Sequence, residues 1–132
     1  MFLVTVPAGF PSPADDYLEG NLDLNRHLIH HPAATFFVRV RGDSMVGAGI
    51  HSGDLLIVDR AVKATHNSIV IAVVNGDVTV KRYCLESCRD RKQRISLVPD
   101  NPEYPTIHID EAMDFEVWGV VIGAYHFLHQ QP

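Results

Sequence analysis

From residue 35 onward the chain reads as a series of short strands, some alternating apolar and polar positions and others continuously apolar. From Thr35 to Arg41, Phe36, Val38 and Val40 fall on one side and Arg39 and Arg41 on the other. That period of two is what a half-buried β-strand imposes. Asp54–Val58 and Ile69–Val74 are short apolar runs of strand length, and Ile95–Val98, Thr106–Ile109 and Phe115–Ile122 read the same way. Asn75-Gly76-Asp77, between Ile69–Val74 and Val78–Leu85, signals a two-residue hairpin. One stretch departs from the pattern. Between Leu22 and His30, Leu24, Leu28 and Ile29 recur at helical spacing, and Pro32 stops the run. The pattern therefore predicts about seven short strands and one short helix, a mostly β domain with a curled or barrel-like sheet.

The first twenty or so residues are different again. Pro7, Pro11 and Pro13 forbid a continuous helix, and Gly9 and Gly20 punctuate the stretch further. An extended N-terminal arm is expected over residues 1–21, followed by one compact domain over 22–132.

Composition narrows the function. Hydrophobic residues make up 46% of the 132, enough for a core, and the formal net charge is -5. A negative chain argues against a protein whose main task is gripping duplex DNA, because such domains are usually basic. Cys84 and Cys88 match no four-ligand zinc spacing, and two reduced thiols are the expectation. No metal or other cofactor is called for. The opening residues lack a basic secretory n-region. The longest uncharged apolar stretch, Val117–Tyr125, is about half the ~20 residues that a membrane helix needs. A soluble, cytoplasmic protein with protein partners fits these features.

Two segments carry candidate chemistry. Gly42-Asp43-Ser44-Met45 follows a strand directly, and Gly42 permits an abrupt turn. Ser44 would then sit where free backbone N–H groups can face a developing oxyanion. On these four residues alone an ordinary turn with an N-cap serine is the better reading. Lys81 lies in the alternating strand Val78-Thr79-Val80-Lys81-Arg82-Tyr83, on one face with Thr79 and Tyr83. A lysine there is usually solvated. A buried, neutral lysine could instead take a proton from a serine, a known variant of triad logic. Alternation does not say which face is inside.

Taken together and in order, the motifs are more specific. Gly42-Asp43-Ser44-Met45, Gly53-Asp54-Leu55-Leu56-Ile57-Val58-Asp59 and Val78-Thr79-Val80-Lys81-Arg82 closely resemble the catalytic domain of UmuD- and LexA-type self-cleaving peptidases. Ala8-Gly9-Phe10-Pro11-Ser12-Pro13-Ala14-Asp15-Asp16-Tyr17 resembles the cleavage region of the UmuD branch. His31–Val38 and Val117–Val121 extend the likeness almost end to end. The resemblance implies Ser44 as nucleophile, Lys81 as its base, and a scissile bond between Ala8 and Gly9. It also implies a homodimer, cleavage promoted by a RecA filament on single-stranded DNA, and a processed form that joins a UmuC-type translesion polymerase in the SOS response. In that family a longer arm precedes the scissile bond; here only Met1–Ala8 do.

Other readings are weaker. A GDSL-type hydrolase needs an Asp three residues before a C-terminal His, but Gly123 precedes His126, and His126 precedes His129. The spacing of His27, His30 and His31 could place two imidazoles on one helix face, but a metal site would need a further ligand that the sequence does not offer, and an exposed helix end suits them better. The basic run Arg89, Arg91, Lys92 and Arg94 sits between two strands and reads as a solvated loop. A LexA-like repressor would need a helix-turn-helix before the arm, and a signal-peptidase-like enzyme a membrane segment. A non-catalytic interaction module would need neither Ser44 nor Lys81.

Overall fold

The computed structural model describes residues 2–4, 8–9, 18–21, 23–90 and 92–129. The prolines at 7, 11 and 13 and most of the cleavage-region motif, residues 10–17, lie outside them. The chain divides into two compact units, Met1–Pro32 and Ala33–Pro132.

In the first unit, β1 (Phe2–Val4) pairs antiparallel with β2 (Leu18–Asn21), Phe2 opposite Asn21 and Leu3 opposite Gly20. Within the expected arm, the described segments 2–4 and 18–21 are therefore strands paired with each other. Extended backbone leaves its N–H and C=O groups unspent, and a second strand satisfies them. The helix, α1, is short: Leu24–Leu28, with the Asp23 carboxylate accepting from the Asn25 N–H as N-cap.

The second unit is a seven-stranded antiparallel sheet. Its strands are β3 (Thr35–Arg39), β4 (Leu55–Asp59), β5 (Ile69–Val74), β6 (Asp77–Ser87), β7 (Gln93–Val98), β8 (Ile107–His108) and β9 (Phe115–Tyr125), in the spatial order β3-β4-β9-β5-β6-β7-β8. The sheet does not close: β3 and β8 are its edges. The expected β5–β6 hairpin forms with Val74 opposite Asp77, so Asn75 and Gly76 are the whole loop, with φ of 50° and 85°. Both central residues have positive φ, as a type I′ turn requires.

β5 is covered on both faces. Ile71 belongs to a core cluster with Val40, Met45, Ile50, Leu56 and Val58. Its neighbours Val70 and Ala72 belong to a second cluster with Leu97 and Val120. Neighbouring side chains on a strand point to opposite faces, so a continuous apolar run is what two-sided burial demands. Each fully buried large apolar side chain contributes about 1.5–3 kcal/mol. β9 enters the centre of the sheet with two irregularities. The pairing with β5 passes over Trp118, and that with β4 passes over Ile122. Such bulges re-aim side chains, and both residues are exposed.

Asp54, just before β4, is fully buried and accepts from the His51 N–H and from His126 Nδ1 beyond the end of β9. Burial by itself would raise its pKa; the His51 N–H and the His126 ring outweigh that and lower it.

Candidate active site

Ser44 and Lys81 come together through separate elements. After β3 the chain turns at Gly42 (φ +91), whose N–H donates to Ser52 Oγ, and continues into a single 3₁₀ turn at Val46–Ala48. Met45, fully buried in the first core cluster, anchors this turn and leaves Ser44 half-buried at its start. Lys81 sits in β6 directly opposite the fully buried Val70, and is itself only 8% exposed. The alternation could not say where β6 is covered; Val80 packs against the first core cluster, Tyr83 on the other face against the second, and Lys81 is the buried position of the strand.

Lys81 Nζ lies 3.1 Å from Ser44 Oγ, 2.8 Å from Thr79 Oγ1 and 3.1 Å from the Val80 carbonyl oxygen. Among the described residues none of its hydrogen-bond partners is a carboxylate. Burial without a counter-charge disfavours the ammonium form, and it lowers the Lys81 pKa from the 10.5 of a free lysine. Among the described residues, the backbone N–H groups of Ser44 and Met45 donate no hydrogen bond.

The two residues line a cleft of about 380 Å³. One wall is Val38–Ser44, the other Val78–Lys81, with Ile71 and Tyr104 also lining it. β7 pairs only with Arg82–Ser87 of β6, so the edge of Asp77–Lys81 away from β5 carries no strand among the described residues. Such an edge can accept an extended peptide as an added strand.

A loop at Asp100–Asn101, which carries no motif in the sequence, supports the serine turn from behind. Gly47 N–H donates to the Asp100 carbonyl, Asp100 N–H contacts Met45 Sδ, and Asn101 Nδ2 donates to the Asp43 carbonyl. Arg82, next to Lys81, holds the Asp100 carboxylate with two nitrogens, at 3.3 and 2.6 Å. The side-chain hydrogen bond to Asp100 is the main reason that the Arg82 pKa is raised. No pattern in the sequence ties 100–101 to 43–47, because the link is a loop-to-loop contact.

Ala8 and Gly9 are exposed in a bend. His27, His30 and His31 are exposed, and among the described residues no group of three or more His, Cys, Asp or Glu is placed to hold a metal. Cys84 and Cys88 are free thiols. Arg89, Lys92 and Arg94 are exposed at and beside the β6–β7 turn; Arg91 lies outside the described residues. Among the described residues no helix is long and apolar enough to cross a membrane.

The Peptidase S24-like family model matches residues 1–122. Protein SamA of Salmonella typhimurium is 51% identical over 126 residues, covering 96% of this chain and 84% of SamA. Protein MucA of Escherichia coli is 42% identical over 132 residues, covering 99% and 84%. The LexA repressor of Citrifermentans bemidjiense is 39% identical over 121 residues, covering 91% of this chain but 57% of the repressor.

Proposed function

The chain belongs to the Peptidase S24-like family, and on that footing we propose that it is a serine peptidase that cuts its own Ala8–Gly9 bond with Ser44 as nucleophile and Lys81 as base. The contact of 3.1 Å between Lys81 Nζ and Ser44 Oγ carries this reading. A neutral amine has two N–H donors and one lone pair. Thr79 Oγ1 and the Val80 carbonyl can take the two donors, which leaves the lone pair for the Ser44 hydroxyl proton.

In the proposed reaction Lys81 removes that proton as Ser44 Oγ attacks the Ala8 carbonyl. The Ser44 and Met45 N–H groups face the oxyanion. Lys81 then returns the proton to the departing Gly9 amine, and water, deprotonated by the same lysine, releases Ala8 from the ester. The unpaired edge of β6 supports the arm binding as an extended strand, and the exposed bend at Ala8–Gly9 supports its access.

By family likeness the processed chain is a homodimer that serves as accessory subunit to a UmuC-type translesion polymerase in the SOS response, with cleavage promoted by RecA on single-stranded DNA. Incubation of the pure chain at mildly alkaline pH, followed by intact mass measurement, tests the chemistry. A product beginning at Gly9, absent from Ser44→Ala, is expected. A product beginning elsewhere would overturn the assignment.

A further inference from the structure

We infer that Asn101 is a positioning residue for the oxyanion site, acting through the Asp43–Ser44 peptide plane. The inference rests on the reading of Ser44 as nucleophile and deepens it. A peptide unit is planar and trans, so its C=O and N–H point in opposite directions. Whatever pins the Asp43 carbonyl therefore aims the Ser44 N–H. Two donors pin it: Asn101 Nδ2 at 2.9 Å and the Val46 N–H at 3.3 Å. The second belongs to the turn that must hold Ser44; the first comes from the separate loop behind that turn.

The orientation of the Asn101 amide is not arbitrary. Its Oδ1 accepts from the Glu103 N–H at 3.0 Å, and its own carbonyl accepts from the Tyr104 N–H. With Oδ1 committed to this turn, Nδ2 is the end that faces Asp43. The turn is held in place by its neighbour Asp100, which Arg82 grips from β6. Arg82 follows Lys81, so one connected set of bonds runs from the strand of the base to the N–H beside the nucleophile. The Asn101–Asp43 bond is solvent-exposed. Water can replace such a bond at little cost in stability, but water does not hold a plane to the angle that an oxyanion requires.

The test compares self-cleavage of the full chain with that of Asn101→Ser and Asn101→Asp across pH. Both substitutions retain an oxygen that can hold the Glu103 N–H; neither carries a donor that reaches the Asp43 carbonyl. Asp adds a charge and Ser does not, so agreement between them separates donor loss from repulsion. The plateau rate should fall by about 10- to 100-fold in both, the scale of a small misplacement of catalytic groups. The pH midpoint should stay at the wild-type value, because Lys81 is untouched. Unfolding midpoints, measured in a Ser44→Ala background, should match the parent. Wild-type rates in Asn101→Ser and Asn101→Asp would overturn the inference, as would losses that track lost stability. If instead Ser44→Ala or Lys81→Ala cleaves like the parent, the reading of the site itself falls.

Discussion

At the scale of single residues, Lys81 is the group whose environment matters most. Its proposed role requires the neutral amine, and burial is what favours that form. Self-cleavage should therefore rise with pH and reach its midpoint below 10.5, the value of a free lysine. Ser44→Ala and Lys81→Met should each abolish it. Burial has a thermodynamic consequence as well. The folded-state pKa of Lys81 is lower than the unfolded one, so between the two values the unfolded chain binds more protons, and stability from this residue rises with pH. The penalty is full below the folded pKa and gone above the unfolded pKa. Chemical denaturation of Ser44→Ala and of the Ser44→Ala, Lys81→Met double mutant isolates it. The advantage of the double mutant should shrink as pH rises through that window, by at most about 1.4 kcal/mol per pH unit. A difference that does not change with pH would mean that Lys81 titrates alike in both states. Gly9→Trp should slow cleavage severely by crowding the attacked carbonyl, a loss visible in the same mass assay.

At the scale of elements, the site depends on how closely the Asp100–Tyr104 loop approaches the serine turn. A Cβ added at Gly47 would meet the Asp100 carbonyl oxygen at 2.6 Å, well inside contact distance. That oxygen is backbone and already accepts from the Gly47 N–H, so it cannot swing aside alone. Gly47→Ala should cost about 1–3 kcal/mol, as overpacking does, read as a lowered urea midpoint in the Ser44→Ala background. It should also slow cleavage in the active chain by displacing the turn that holds Ser44. Unchanged stability and rate would show that the two loops part easily.

At the scale of the whole molecule, the proposed dimer would need an apolar surface to cover, and the bulges of β9 offer one. Trp118 stands out of register, 38% exposed, and lines a cavity of about 380 Å³ with Phe36 and Arg60. Aromatic side chains in such positions bury about 150–250 Å² each when covered. Sedimentation equilibrium at micromolar concentration should report twice the chain mass of 14.7 kDa, and Trp118→Glu should shift it toward one chain mass. A wild-type monomer would refute the dimer at that concentration. With a net charge of -5, the chain lacking residues 1–8 should bind duplex DNA poorly while binding its cognate translesion polymerase. Strong, salt-sensitive duplex binding without polymerase binding would point the other way.

Local order was legible in the sequence wherever a local cause sets it. Ile69–Val74 is β5 to the residue, because a continuous apolar run suits only a strand covered on both sides. Asn75-Gly76 turns because these two residue types tolerate positive φ. Phe2–Val4 and Leu18–Asn21 pair across residues that the proline pattern marked only as extended; extension is local, but the choice of partner is not. The same division runs through the site. Chain order made Ser44 and Lys81 visible as motifs, but a strand has two faces and its alternation is symmetric between them. Only the assembled packing buried Lys81, opposite Val70 of the second cluster, while Val80 on the other face packs against the first. Asn101 and Asp100 left no trace in the pattern, since a hydrogen bond between loops distant in sequence imposes no period on either. The sequence by itself determined which segments form the seven-stranded sheet, where its β5–β6 hairpin turns and which residues could do chemistry. The tertiary structure alone decided which of those residues meet, because burial, and with it the pKa of a lysine, belongs to the assembled sheet and not to any segment of the chain.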